Sequence, residues 1–392
     1  MRWGYPLVEI GDLVSSVKKW NPRQSKTNEL INYIDIASVN RETKEVEYVV
    51  EVFAHEAPSR ARQLVIDGDV LVSTVRPNLN AVAHLKKNFS GATASTGFTV
   101  LRSNSKKICS RYLYYWVRSP YFVQDMIRRS TGASYPAVSD SIIKAYNIPL
   151  PSLEEQKRIA AILDKADAIR RKRKEAIRLT EELLRSTFLD MFGDPVTNPK
   201  GWDKSKLSKL GCVVTGNTPP RANLDNYGDD IEWIKSDNIT TPYHFLTYAT
   251  ERLSSQGKKI ARIVPPNSIL VACIAGSRSS IGRAALADRE VAFNQQINAI
   301  VPNSNVDPYF LYTHFFVTQH LVQAQSTNSM KGLVSKSRFS NIEFIQPPEQ
   351  KQREFGKWFS RFHSWSNHLR NGEEDTDNLF NSLLQKAFRG EL

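Results

Sequence analysis

The chain is written twice. Shifting the sequence by half its 392 residues superposes two long helix-forming stretches without a gap. Pro151 falls on Pro347, Gln156 on Gln352, Ile159 on Phe355, Leu163 on Phe359, Leu183 on Leu379, Ser186 on Ser382 and Phe192 on Phe388. Upstream the register slips by only a few positions. INYIDIASV from Ile31 lies on IEWIKSDNI from Ile231, VLV at Val70 on ILV at Ile269, and Tyr112-Leu113-Tyr114 on Phe310-Leu311-Tyr312. Two amphipathic helices can match by chance, but four ordered anchors at nearly one shift exclude that. The fold must be built from one unit, a globular segment followed by a long helix, used two times.

The globular segments read as mostly β. Short β-branched or aromatic runs such as Tyr48-Val49-Val50, Val70-Leu71-Val72-Ser73-Thr74-Val75 and Ile269-Leu270-Val271-Ala272-Cys273-Ile274 are bounded by Gly, Pro and Asn. One helical stretch closes each segment, from Arg111 and from Pro308. In the first rod Ile159, Ile162, Ala166, Ile169, Ala176, Leu183 and Thr187 recur at spacings of three, four or their sums, which predicts a seam against another helix. The second rod offers Phe355, Trp358, Phe362, Trp365, Leu369, Leu379, Leu383 and Phe388, with a bend or break expected at Asn371-Gly372. Ungapped equivalence of the rods implies a pseudo-two-fold axis and antiparallel pairing. The expected class is α+β: two pseudo-repeated, mostly β domains separated by two long antiparallel coiled-coil helices. The division is 1–150, 151–194, 195–346 and 347–392.

Charge narrows the partners. Fifty-three Lys and Arg against 40 Asp and Glu leave +13, which points to a polyanion and above all to nucleic acid. Cys109, Cys212 and Cys273 are odd in number and far apart, which argues against a disulfide framework or zinc knuckle. The opening MRWGYPLVEIGDL has no apolar run of signal-peptide length, and no segment approaches the ~18 apolar residues of a membrane span. A soluble cytoplasmic protein, with no membrane partner, is the expectation.

The duplication, the P-x-x-x-E-Q entry to the first rod (Pro151, Glu155, Gln156) and its F-x-x-M-F-G-D exit resemble the DNA-specificity (S) subunits of type I restriction-modification systems. Other matching segments are GDVLVSTVRP (68–77), STGASYPAVS (130–139), SRSSIGRAA (277–285) and AFNQQINAI (292–300). The second rod departs by opening PPEQKQREF, with its Glu-Gln pair two residues early in register. The resemblance covers the whole chain. It implies two target-recognition domains that read a bipartite split site in double-stranded DNA, each followed by a long helical spacer. It also implies two S-adenosylmethionine-dependent adenine-N6 methyltransferase subunits docked on the rods. An endonuclease/translocase subunit using ATP and Mg2+ would join them. This chain would bind no cofactor and catalyse neither reaction.

The residues themselves offer little chemistry. Asp307-Pro308-Tyr309-Phe310 lacks the second proline of an adenine-methyltransferase motif and reads as a helix start. No phosphate-binding Gly-rich loop ending in Lys-Ser/Thr occurs. The acidic run Asp229-Asp230-x-Glu232-x-x-Lys235 reads as a turn and strand edge, and the seven histidines show no metal spacing.

Base reading calls for Arg on guanine and Asn or Gln on adenine, presented by loops on a rigid scaffold. The candidates are Arg76, Asn78 and Asn80, with Ser134 and Tyr135, in the first segment. The second offers Arg278, Ser279 and Arg283, with Asn294, Gln295 and Lys331. The mid-rod cations Arg170, Arg171, Lys172, Arg173 and Lys174 are candidates for sequence-blind phosphate attraction, offset in part by Glu373, Glu374, Asp375 and Asp377. Ile159, Ile162, Leu183, Phe188, Phe355, Trp358, Phe359, Phe362, Trp365 and Phe380 are expected to supply apolar surface for partner helices. Three other readings stay open: a fused restriction-methylation enzyme, the specificity half of a type II-like or solitary methylation complex without restriction, and a coiled-coil scaffold with no DNA role.

Overall fold

A computed structural model describes residues 4–25, 29–132, 134–327 and 332–392. They form two compact units, Met1–Glu175 with Asn371–Leu392, and Ala176–Arg370. The units cut across the four-segment division, because each combines one globular segment with half of each long helix.

In the first unit a four-stranded antiparallel sheet runs in the order Val14–Ser15, Phe98–Ser103, Val70–Ser73, Val82–His84. A second sheet runs Val50–Phe53, Leu30–Ile34, Thr93–Ser95, Ala61–Leu64, with one parallel pair. The strand Val70–Ser73 is buried at every position, as a β-branched run in the middle of a covered sheet should be. The second unit repeats both orders. One sheet is Gly211–Thr215, Ile297–Pro302, Ile269–Ala272, Ala284–Leu286; the other is Arg252–Leu253, Tyr227–Ile234, Val291–Phe293, Ile263–Val264. Registers repeat too: Val70 pairs with Leu101 and Ile269 with Ile300, while Tyr33 pairs with Thr93 and Trp233 with Ala292. The duplication is therefore three-dimensional.

The single closing helix expected in each segment is two. Ser110–Arg118 and Pro120–Arg129 are separated at Ser119, whose hydroxyl caps the second by accepting from Phe122 N–H. Proline at the first helical position fixes that break, since it supplies no N–H to the preceding turn. Pro308–Val317 and Gln319–Ala324 divide at Thr318.

The long helices are Leu153–Phe192 and Glu349–Arg389. Each enters through a buried glutamine. Gln156 accepts from Cys109 N–H at 2.9 Å and donates to Pro151 O at 2.9 Å; Gln352 accepts from Asp307 N–H at 3.1 Å and donates to Pro347 O at 2.7 Å. Both tie the rod to the helix that packs beneath it, so the structural register follows Gln352 and not the early Glu349-Gln350 pair. Within each unit the helix halves run antiparallel. In the first, Arg158 reaches Leu392 O and Lys174 reaches Asp377 at 3.3 Å; in the second, Glu181 pairs with Arg370 at 2.9 Å and Phe188 meets Phe355.

Three expectations need correction. The second helix is unbroken at Gly372, where a β-carbon would fall 2.0 Å from Arg173 Nη1; the glycine admits a guanidinium rather than a bend. The buried stripe of the first rod is Ile159, Leu163, Asp167, Ile177, Thr180, Leu184, Phe188 and Phe192, and Ile169 and Leu183 are exposed. Beyond Ile159 the predicted seam lies off this stripe, because burial against the globular segment as well as the other helix rotates the covered face. Most of the residues assigned to partner docking are core: Ile159, Phe188, Phe355, Phe359, Phe362 and Phe380 are buried. Phe188 stacks on Phe310, Phe192 sits edge-on to Phe310 and Phe355, and Phe388 sits edge-on to Trp116 at 4.8 Å. A rod seated on its own domain uses these rings internally, each worth about 1.5–3 kcal/mol of burial. Leu183 and Trp365 stay exposed, and Ile162 and Trp358 are half-covered.

Candidate nucleic-acid interface

In the first unit, two separately predicted loops come together. Arg76 sits in the left-handed region at φ 50°, its N–H bonded to Pro136 O at 2.7 Å, and its guanidinium lies 4.6 Å above the Tyr135 ring. Tyr135 is 69% exposed, and Arg76, Asn78 and Ser134 are exposed beside it. A stacked guanidinium is held planar at little entropic cost, and its fork remains free to face outward. Asn80 behaves differently. It too is left-handed, at φ 46°, but its side-chain Nδ2 donates inward to Arg118 O at 3.2 Å and its side-chain Oδ1 is buried, while its backbone carbonyl accepts from Lys44 Nζ at 2.6 Å. Bidentate reading of adenine needs both ends of the amide. Asn80 is therefore a framework residue of the loop rather than a reader.

In the second unit Arg278, Ser279 and Arg283 are exposed on a turn anchored from below. Gln319 donates to Ser279 O and Ile281 O, and Gln323 to Arg278 O. Arg283 donates to Thr240 O at 3.1 Å, joining this turn to loop 239–246. Gln295 is exposed. Asn294 is buried and closes its own turn by accepting from Gln296 N–H at 3.0 Å, which removes it from the readers. Lys331 lies outside the described residues.

The mid-rod cations are mostly occupied. Asp167 pairs with Arg118, Arg170 and Arg171, Asp377 with Arg170 and Lys174, and Glu45 with Arg171. Burial alone would raise the Asp167 carboxyl, but Arg118, Arg171 and Arg170 hold it down to about 2. Arg173 packs on Gly372 and Lys172 is exposed. A free five-cation stripe is not what the fold presents, because Asp377 and two acids outside the predicted acidic run, Asp167 and Glu45, neutralise much of it.

Lys44 and His244 were missed. Tyr114 donates to Lys44 O at 3.5 Å, and Tyr312 meets His244 Nδ1 at 2.8 Å, so the two occupy equivalent places. Each lines a cavity, of about 350 Å³ at Lys44 and about 330 Å³ at His244. Lys44 is at φ 58° in the Asn-Arg-Glu-Thr-Lys turn, a signal that the sequence shows only as a turn. Burial, then Arg118, Arg170 and Arg41, lower its ammonium to about 8. Burial likewise pushes His244 down to about 3, leaving it neutral among Phe316, Phe359 and Phe362.

The tempting chemical motifs resolve into structure. Asp307 caps its helix by accepting from Tyr309 and Phe310 N–H. Glu232 pairs with Arg289 at 2.7 Å and accepts from Ala249 N–H, and Lys235 pairs with Glu251. Among the described residues no group of three His, Cys, Asp or Glu could hold a metal ion, and no helix is long and apolar enough to cross a membrane.

Comparison with known proteins agrees with this architecture. The family model of the type I restriction modification DNA specificity domain matches twice, at residues 4–179 and 199–376. The specificity subunit of the type I restriction enzyme HindI from Haemophilus influenzae is 23% identical over 376 residues, covering 75% of this chain and 80% of that protein. Among solved structures, the S subunit from M. genitalium superposes with a TM-score of 0.61 at 13% identity, covering 98% of this chain and 96% of its own. A chain from a type I restriction-modification system solved in a study of complex assembly gives 0.57 at 23% identity, covering 99% and 98%. Two copies of the domain, filling most of the sequence and folded alike, place the chain in the type I restriction-modification DNA specificity family, as a sequence-recognition subunit.

Proposed function

We propose that each of the two units reads one half of a split site in double-stranded DNA, and that the long helices act as the spacer. The observation that carries this reading is the repeated scaffold with exposed, anchored loops at corresponding places, Arg76 and Asn78 in one and Arg278, Ser279 and Arg283 in the other. On this reading the chain is non-catalytic and works in the cytoplasm. Two S-adenosylmethionine-dependent adenine-N6 methyltransferase subunits dock on it, and ATP- and Mg2+-dependent endonuclease subunits join them. Apolar residues left exposed on the rods, Ile169, Leu179, Leu183, Leu189, Trp365 and Leu379, support docking of partner helices. The test is methylome sequencing of a host expressing this chain with its methyltransferase partner. Two short specified halves around a fixed gap of unspecified bases are expected, with methylated adenine in them. A continuous site, or methylation independent of this chain, would overturn the reading.

A further inference from the structure

The cavity at Lys44 gathers donors within a partly apolar wall. Lys44, Arg118 and Arg170 supply the charge, and Asn78, Asn80, Gln124 and Asn381 are carboxamides; among the described residues that line it there is no carboxylate. The acids that serve these cations lie outside it and are shared: Asp167 among three arginines, Asp377 between Arg170 and Lys174. Lys44 donates to a carbonyl, that of Asn80, which removes none of its charge. Arg170 Nε is buried with no hydrogen-bond partner among the described residues. A cluster of this kind is electrostatically incomplete, and a small multivalent oxyanion completes it.

The position of the cavity selects the source. Asn78 belongs both to the lining and to the exposed loop that carries Arg76 and its Tyr135 partner. A phosphate held there would sit beside the bases that this loop faces, where a phosphodiester of the same duplex passes. The equivalent cavity in the second unit is lined by His244, Tyr312, Phe315 and Phe316 together with the cations Arg185 and Arg283; Gly282 lies close to where Asn80 stands in the first, and a carboxylate, Glu181, is in its wall. Its cations are engaged differently: Arg185 lies over the Phe316 ring and Arg283 donates to Thr240 O, while Glu181 adds a negative charge to the wall.

We propose that the cavity formed by Lys44, Arg118, Arg170, Asn78, Gln124 and Asn381 in the first unit grips one phosphate of the DNA backbone. This rests on the reading of the chain as a DNA-recognition subunit. The lowered Lys44 ammonium agrees with it, since an anion arriving in the cavity restores the proton that the neighbouring cations disfavour.

The experiment measures duplex binding by the assembled complex from ~50 to ~200 mM salt, with Lys44→Met, Lys44→Arg and Gln124→Glu. Gln124 is exposed, so its substitution leaves folding intact. Losing one phosphate contact lowers the slope of log affinity against log salt by about 0.9, so affinity falls about 3-fold less across that range. Lys44→Met and Gln124→Glu should both show this on every duplex, Lys44→Arg should keep the wild-type slope, and selection from a random DNA pool should return the same two half-sites. An unchanged slope would overturn the proposal. So would a Lys44→Met complex that keeps its slope but loses one half-site preference, because Lys44 would then act only by positioning the loop. Inorganic phosphate and ATP form the other arm: either one binding wild type but not Lys44→Met, with duplex slopes unaltered, would assign the cavity to a free phosphate ligand instead. Failure of the wild-type complex to select any sequence would sink the DNA reading itself, a result distinct from all of these.

Discussion

In the first unit Tyr114 gives its hydroxyl to the carbonyl of Lys44; in the second Tyr312 meets the ring of His244. The backbone beneath is the same, with equal strand orders and registers, yet one cavity gathers Lys44, two arginines and carboxamides, and the other sets His244 and aromatic rings beside two arginines and Glu181. A duplicated scaffold thus fixes where a pocket lies and leaves its chemistry to a few substitutions. Sameness of the frame and difference of the lining are separate claims, and each can be broken separately.

The largest effect should come from exchanging the two residues. His244→Lys places a charge among rings where the acid in the cavity wall, Glu181, is already paired with Arg370, and an uncompensated buried charge costs about 3–5 kcal/mol. Lys44→His should cost less than about 1 kcal/mol, because a neutral imidazole suits a cation-rich site. Urea denaturation of both variants checks this, and equal losses would mean that the two cavities are electrostatically alike.

Sameness of the frame is tested at the rod entries. Gln156→Leu and Gln352→Leu each strand a buried N–H, of Cys109 and Asp307 respectively, and each should cost about 1–3 kcal/mol. Closely matched losses are expected; a large loss at one and none at the other would show that only one entry depends on its glutamine.

The pH dependence of stability should isolate Lys44. Facing it are Arg118 from the helix Ser110–Arg118, Arg170 and Asp167 from the long helix, and Arg41 from its own turn. Its folded ammonium titrates at about 8 against 10.5 in the unfolded chain. Between those values the unfolded chain holds the extra proton, so raising pH stabilises the fold; below pH 8 the penalty is complete and flat. Stability of the wild type relative to Lys44→Met should therefore rise from pH 8 to 10.5, by no more than about 1–2 kcal/mol after solvent screening. A difference that is level across this window would contradict the crowded-cation description.

The smallest contrast involves two glycines on one helix. At Gly356 a β-carbon would strike the Asp307 carboxylate at 2.3 Å, and that carboxylate is fixed as a helix cap, so Gly356→Ala should cost about 1–2 kcal/mol. At Gly372 the obstacle is the mobile end of Arg173, and the gain in helix propensity makes Gly372→Ala neutral or stabilising by up to about 1 kcal/mol. Thermal melting of the pair reports the sign.

The sequence carried the duplication, the long helices and the family, because periodicity and repeated anchors survive divergence at single positions. It carried less of the surface. Spacing along a helix predicts a stripe but not its exact azimuth, so Leu183 was placed on the seam and Leu184, one residue on, is buried. For the run from Arg170 to Lys174 the sequence suggested offsets only from the acids at 373–377; the pairing with Glu45 is invisible because that acid is distant in sequence, whereas Asp167, one turn away, was legible from i,i+3 and i,i+4 spacing. Asn80 and Asn294 have the right chemistry for base reading, and only the fold shows their amides engaged in holding turns. Lys44 left no trace, since its importance lies in what Arg118, Arg170 and Asn80 do around it.

Leu7 pairs with Pro149 and Lys204 with Ile345. Each recognition segment therefore leaves the molecule at the place where it came in, through a two-stranded clasp next to a rod entry. Chain inserted between closely spaced ends adds no new separation for the rest of the protein to accommodate. A whole segment can be lifted out and another grafted in, with the clasp and the buried glutamine as the joints, and the helical chassis need not register the change.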